Sequence, residues 1–295
     1  MLFNSGVVLG LVIIQKRLRR SGNGAMNKIG YLQGRKEKLY YDYSKPADKV
    51  KIGVIFVHAA SGNRLGPHRM FVEMGERFYK LGYAVMRFDF AGCGDSTGTG
   101  QMQSIEDDSF DLVKVCEFFR QQEALEKIFL IGISRGSRLC FNAMRKYEIP
   151  VSGMVLLSAS YLDNSIFVRL FVNRLKQYFV KLTEPGGFQR LISGAVNFKG
   201  IFRTFAFCFQ FKQKTEAAKG GNGFKTRCPL LFVYGANDPI TNNSKSHYST
   251  ICKKNRIDHK YVSIENANHS FFHYKWKENL FGICKKWIED LAGKD

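Results

Sequence analysis

The run Phe129-Leu130-Ile131-Gly132-Ile133 passes directly into Ser134-Arg135-Gly136-Ser137 and then into a helical pattern, and no other stretch limits the fold as strongly. An apolar strand that ends in Gly-x-Ser-x-Gly and reverses into a helix leaves the serine on a sharp turn, its hydroxyl exposed at the top of a sheet. Side chains at Gly132 and Gly136 would collide with the neighbouring strand and helix, so the turn requires glycine at both places. Three defined positions in five make a weak signal alone, and the surrounding chain has to supply the context.

That context is regular. From Val50 onward short apolar runs alternate with amphipathic stretches: strand 52–58, helix 69–81, strand 84–90, helix 105–122, strand 128–133, helix 135–147 and strand 151–158. The alternation predicts an α/β domain on a mainly parallel sheet with helices on both faces. It stops at Tyr161 and resumes at Pro229 with strand 230–234, helix 245–253, strand 260–264 and helix 278–291. The expected organisation is a core of residues 27–160 and 229–295 interrupted by an insertion, 161–228. Within it, 166–182 has Arg169, Asn173, Lys176, Gln177 and Lys181 at helical spacing, giving one basic and one apolar face. Phe205, Phe207, Phe209 and Phe211 alternate with period two, while Ile201 and Phe202 fit a helix equally well, and both readings stand. Residues 219–223, with three glycines, form a returning loop.

The net charge of +20 resides in two blocks. Residues 1–51 carry 11 basic and 3 acidic side chains and 161–228 carry 12 and 3, whereas 52–160 balances to zero and 229–295 to +3. Both basic blocks are rich in apolar and aromatic residues, which suits an anionic membrane surface as well as phosphate. No zinc finger or RNP-like sequence accompanies them, so no specific nucleic-acid partner is expected. Peripheral membrane contact through these segments and a plainly solvated basic face are the two readings of the charge.

Seven scattered cysteines form no CxxC pair and no Cys/His cluster with zinc spacing, which predicts reduced thiols in a cytoplasmic protein and no metal. The apolar stretch 2–14 is too short for a confident membrane span, and its basic run Lys16-Arg17-Leu18-Arg19-Arg20 follows it, the wrong order for a signal peptide. Residues 1–26 read either as a shallow anchor or, by preference, as leader sequence upstream of a start at Met26, joined through the flexible 21–24.

A serine hydroxyl is a poor nucleophile at neutral pH and needs a base within hydrogen-bond reach and a carboxylate to orient that base. In this topology both follow the serine, acid first and histidine second, each on a loop after a later strand. Asp238, in Tyr234-Gly235-Ala236-Asn237-Asp238-Pro239, follows strand 230–234, and His269, in Asn266-Ala267-Asn268-His269-Ser270, follows strand 260–264. Singly, Asp238 could be a turn former and His269 a surface residue; in order and position with Ser134 they form a triad. His247 and His259 lie away from the top of the sheet, and His273, four residues beyond His269, is the one serious rival.

An oxyanion hole needs two backbone N–H groups aimed at the developing charge. One is expected from Arg135, after the nucleophile, and the other from Ala60 in His58-Ala59-Ala60-Ser61-Gly62, with Ala59 the donor if the register slips by one. Arg64, His68 and Arg69 are the expected substrate-binding residues near the mouth, and Arg64, Arg69 and Arg135 together could hold an anionic group; capping and solvation are the plainer reading of the same side chains.

These motifs resemble those of an α/β-hydrolase of the serine esterase and lysophospholipase-like branch. Gly66-Pro67-His68-Arg69-Met70-Phe71 and Arg87-Phe88-Asp89-Phe90-Ala91-Gly92-Cys93-Gly94-Asp95-Ser96 are similar to the hydrolases associated with exosortase and exopolysaccharide loci. The similarity runs from about Val50 to the C-terminus and includes Phe188 to Ile201. The resemblance implies an α/β-hydrolase fold with a helical cap, here 161–228, a structural role for the loop 92–96 in place of a phosphate cradle, and cleavage of an ester, thioester or amide without a cofactor. An apolar cap face with a basic rim suits a small-molecule or lipid-like acyl substrate, and the rim suits an anionic head. Acyl transfer to a polysaccharide or lipid acceptor, and a non-catalytic membrane-surface protein retaining the fold, are the alternatives; oligomeric state is not legible.

Overall fold

The computed structural model describes residues 14–20, 26–47, 49–59, 62–100, 103–161, 183, 223–241 and 243–293. The chain divides into two compact units, 1–160 with 222–295 and 161–221. The inserted segment's two sequence features, the amphipathic 166–182 and the phenylalanine-rich 205–211, lie outside the described residues.

In the first unit the elements run β1 (Ile14–Arg20), β2 (Met26–Gln33), β3 (Lys38–Lys45), β4 (Ile52–Val57), α1 (Met70–Lys80), β5 (Ala84–Phe88), α2 (Ile105–Glu123), β6 (Lys127–Ile133), α3 (Arg135–Lys146) and β7 (Gly153–Leu157). After the insertion come β8 (Leu230–Gly235), α4 (Ser244–Lys254), β9 (His259–Ile264) and α5 (Tyr274–Ala292). One nine-stranded sheet has the order β1-β2-β3-β5-β4-β6-β7-β8-β9. The six strands from β5 to β9 in that order are parallel, and β1 to β3 form an antiparallel meander joined to β5.

The alternation of strands and helices from β4 onward is as the sequence predicts, with small boundary shifts; α5 begins four residues earlier than the pattern suggested. The antiparallel meander was not anticipated. Residues 14–20, placed by sequence in a leader, form its edge strand, paired from Arg17↔Ile29 to Arg20↔Met26. Strand β3 alternates Leu39, Tyr41 and Tyr43 inward, because only one of its faces meets a helix. Tyr41 and Tyr43 pack on Phe118 and Phe119 of α2, with ring centroids 5.0 and 5.5 Å apart.

The central strands are apolar throughout because helices cover both faces. Val54, Phe56, Phe129, Ile131, Val155 and Val233 point toward α1 and α5, where Phe71, Met74, Phe78, Phe281 and Trp287 close one core. On the other face α2 lies so close to β4 that a Cβ on Gly53 would come within 2.5 Å of the Phe119 ring.

Between β4 and β6 the winding direction reverses: the chain passes from β4 outward to β5, returns to β6, and then builds β7, β8 and β9 on the other side. In open parallel sheets the carboxyl ends of the strands at such a reversal diverge into a crevice. The loop after β4 and the turn after β6 therefore face each other there.

The hairpin between β2 and β3 docks on α2 through acids of its first turns. Arg35 and Lys36 reach Asp107 at 3.1 and 2.9 Å, and the Arg35 N–H donates to Asp111 Oδ1 at 2.6 Å. Burial pushes the Asp111 carboxyl up to about 7; the Arg35 N–H opposes the shift and the charges of Asp108 and Asp107 add to it. An acid whose folded-state pKa is raised contributes stability that is complete below the unfolded value and lost as pH rises through the folded one. Asp111→Asn is expected to remove that loss, so that urea melts of wild type and variant at pH 4.5 and 7.5 differ in slope with pH, the wild type falling by a few kcal/mol more. Equal falls would show that Asp111 ionises freely in the folded state.

Candidate active site

The turn after β6 is built by contact between backbones. A Cβ on Gly132 would lie 2.9 Å from the Gly136 carbonyl, and one on Gly136 would overlap the carbonyl oxygens of Val57 and His58. With both positions bare, α3 starts directly against the end of β4. Ser134 takes φ 53° and ψ −113°, a conformation costing a non-glycine residue about 1–3 kcal/mol. The surroundings hold it there: the Ser134 N–H donates to Leu157 O at 2.8 Å, and the Ser137 hydroxyl sits 2.8 Å from the carbonyls of both Gly132 and Leu157.

His269 stands over this turn. Its Nε2 is 3.0 Å from Ser134 Oγ and its Nδ1 is 2.7 Å from Asp238 Oδ2. A carboxylate accepts from Nδ1–H, which leaves Nε2 as the basic nitrogen facing the hydroxyl. The Asp238 side chain is fully buried, and its second oxygen accepts from the Ile240 N–H at 3.0 Å. The two loops are tied together, since Asn237 N–H donates to Ala267 O at 2.8 Å and Gly235 leaves room for the carbonyls of Ala267 and Asn268. Ser158, at the end of β7, donates from its hydroxyl to His269 O at 2.8 Å. The structure thus brings together Ser134, Asp238 and His269 from three separate loops. It does not bring His273 into the line: that side chain caps α5, accepting from the Lys275 N–H at 3.4 Å.

Behind the crevice lies a second polar layer that sequence reasoning passed over. His58 is buried; its Nε2 accepts from the Phe90 N–H at 3.0 Å, so Nδ1 carries the proton and donates to Ala59 O at 2.8 Å. Burial pushes the His58 pKa down to about 4, so this ring is a neutral strut between the loops after β4 and β5. Asp89, fully buried, receives the Arg64 N–H at 2.6 Å and its guanidinium at 2.5 Å, and also the Asp95 N–H at 3.0 Å. The loop 92–96 wraps that carboxylate; a Cβ on Gly94 would overlap it, which accounts for glycine at that position. An acid between Phe88 and Phe90 at a strand end was the available signal, because a buried carboxylate demands a cation.

This layer corrects the expectation for two arginines. Arg64 is engaged by Asp89 and by Asp95, 2.7 Å away, and stacks over the Tyr40 ring at 4.4 Å. The Arg135 guanidinium turns away from the crevice to Asp108 Oδ2 at 2.5 Å and Gln103 O at 3.1 Å. Each cation neutralises a buried carboxylate. His68 and Arg69 are exposed at the start of α1, and the His68 ring lies 5.9 Å from Phe272, three residues beyond His269. Ala60 lies outside the described residues; Ala59 O accepts from the Gly62 N–H at 3.1 Å, and Arg135, first residue of α3, has a peptide N–H with no acceptor inside the helix.

The architecture superposes on an esterase of Pyrococcus furiosus, Pf2001, with a TM-score of 0.64 and 18% identity over 95% of this chain and 99% of that one. Est1E of Butyrivibrio proteoclasticus, solved with ferulic acid bound, gives 0.60 and 16% over 90% and 99%. The fold is that of the α/β hydrolases. A family model described as serine aminopeptidase, S33, matches residues 63–206. The bovine (Bos taurus) lysophosphatidylserine lipase ABHD12 is 27% identical over 129 residues, 43% of this chain and 30% of that protein. The matched region of this chain spans about a third of the length of that curated relative. The six cysteines among the described residues are free thiols, five of them buried. Among the described residues no helix is long and apolar enough to cross a membrane, and no group of acids, histidines and cysteines is arranged to hold a metal.

Because the Arg135 guanidinium is sequestered, Arg135→Met is expected to lower the rates on a neutral and an anionic ester of equal chain length by the same factor. A selective loss on the anionic ester, in steady-state kinetics, would show that the guanidinium reaches the substrate.

Proposed function

We propose that this α/β hydrolase is a serine hydrolase that cleaves the carboxylic ester of a lipid-like acyl substrate. The observation that carries the reading is the line from Ser134 Oγ to His269 Nε2, 3.0 Å, and from His269 Nδ1 to Asp238 Oδ2, 2.7 Å, on loops at the carboxyl ends of the parallel strands β6, β9 and β8. His269 takes the hydroxyl proton as Ser134 attacks the acyl carbonyl, and buried Asp238 stabilises the imidazolium that forms. The Arg135 N–H, with a second from the loop after β4 at Ala60, stabilises the tetrahedral oxyanion; the proton then passes to the leaving alcohol, and water releases the acyl-enzyme. His68 and Arg69 flank the entrance, where they suit an anionic head group.

The ester reading is supported by the esterase structures that share the fold and by the lysophosphatidylserine lipases that share sequence with it. The finer likeness to exosortase-locus hydrolases rests on residues 66–71 and 87–96. The basic blocks support peripheral contact of a cytoplasmic protein with an anionic membrane. One observation favours a second reading: the matching family model is described as a serine aminopeptidase, which makes an amide the alternative substrate.

A fluorophosphonate probe is expected to label the wild type and not Ser134→Ala. Hydrolysis of p-nitrophenyl esters of increasing chain length is expected to fall at least about 10³-fold in Ser134→Ala and in His269→Gln. Absence of labelling in the wild type would overturn the enzyme reading. Turnover of aminoacyl p-nitroanilides in preference to the esters would replace the ester by the amide.

A further inference from the structure

The serine-hydrolase reading leaves one buried charged group at the elbow without a part in the chemistry, and this inference rests on that reading. Asp108 lies in the first turns of α2, only 2% exposed, with its carboxylate on the Arg135 guanidinium at 2.5 Å. Arg135 is 6% exposed and also donates to Gln103 O, just ahead of the residue that caps α2, Ser104. One side chain thus joins the residue after the nucleophile both to α2 and to the segment entering it. Further along, the α2–α3 seam is held by the neutral bond from Asn142 Nδ2 to Ser109 Oγ at 2.9 Å and by the half-exposed Lys146–Glu106 pair at 3.2 Å. The Arg135–Asp108 pair, buried at both ends, sits at the turn that carries Ser134.

Stability does not account for it. Replacing a buried ion pair by well-packed apolar side chains is often neutral or stabilising, because desolvation offsets the Coulomb attraction. What a charged pair of this kind provides is direction: Asp108 Oδ2 and Gln103 O converge on Nη2 of one planar guanidinium, at 2.5 and 3.1 Å. The Arg135 backbone carries the first oxyanion donor, and such a donor works only when its N–H is held on the place where charge will develop. Gly132, Gly136 and Ser137 anchor the elbow from the side of β4 and β7. Nothing in that set grips the Arg135 residue itself; its own side chain does.

We propose that Asp108 is a positioning residue for catalysis: through the Arg135 guanidinium it holds the Arg135 peptide N–H on the oxyanion. The role concerns the transition state and leaves ground-state binding untouched. It also explains an arginine beside the nucleophile that contacts no substrate.

The test compares wild type, Asp108→Asn and the apolar double variant Asp108→Leu/Arg135→Leu on p-nitrophenyl butyrate, with phenylboronic acid as a tetrahedral-adduct probe and thermal melting as the control. Asp108→Asn is expected to lower kcat at least about tenfold with KM nearly unchanged, and to weaken boronate inhibition in parallel. The double variant, free of a stranded buried charge, is expected to melt near the wild type yet keep the kcat and boronate defects. It keeps the proposal testable even if Asp108→Asn fails to fold. Wild-type kcat and boronate affinity in the double variant would overturn the positioning role and leave a packing pair. A wild type that neither turns over the ester nor takes the fluorophosphonate would instead overturn the hydrolase reading on which this one stands.

Discussion

The contact on which the rest depends is the seating of α3 against the end of β4, with Gly136 resting on the carbonyls of Val57 and His58. Two stretches of backbone approach there without side chains between them. This forces Ser134 into its strained conformation, starts α3 at Arg135, and brings the loop after β4 beside the Ser134 hydroxyl. A methyl group at Gly136 would push helix and strand apart, and the hydroxyl, its base and the N–H of Arg135 would no longer share one crevice. The strain is borne by the sheet: β6 is buried along its length and bonded to β4 on one side and β7 on the other, so the turn cannot relax by moving its strand.

Around that contact the loops are held by polar ties that run between them more than within them. Asp89 and Arg64 join the loops after β5 and β4, His58 adds a neutral strut between the same two, Asn237 N–H and Ala267 O join the acid and base loops, and Ser158 reaches the backbone of His269. Loops at the carboxyl ends of parallel strands have no ladder of their own, so tertiary hydrogen bonds must set their positions. Each tie buries a polar group and would be costly if unpaired, which makes the arrangement close to all-or-none. The same logic engages Arg64 and Arg135 with the buried carboxylates of Asp89 and Asp108.

Much of this was legible in the sequence. The helices and strands from β4 to α5 follow from apolar runs long enough to be covered on both faces and from amphipathic stretches between them. Ser134, Asp238 and His269 were found because their loops follow β6, β8 and β9, where parallel strands must end on one edge. The meander β1 to β3 was passed over. Its strands alternate polar and apolar residues, Tyr41 and Tyr43 facing α2 while Asp42 meets Arg87 at 2.6 Å on the other side, and that pattern is weaker than an unbroken apolar run.

The sequence by itself determined the sheet's parallel half, the glycine-dependent turn at Ser134 and the identity of the three residues that meet there, because each depends on local pattern and chain order. Only the tertiary structure decided the partners of the charged residues. Whether Arg135 faces a substrate or Asp108, and whether Arg64 faces solvent or Asp89, depends on carboxylates 27 and 25 residues away. A charge buried on folding takes whichever opposite charge the fold brings within reach, and no spacing along the chain encodes that choice.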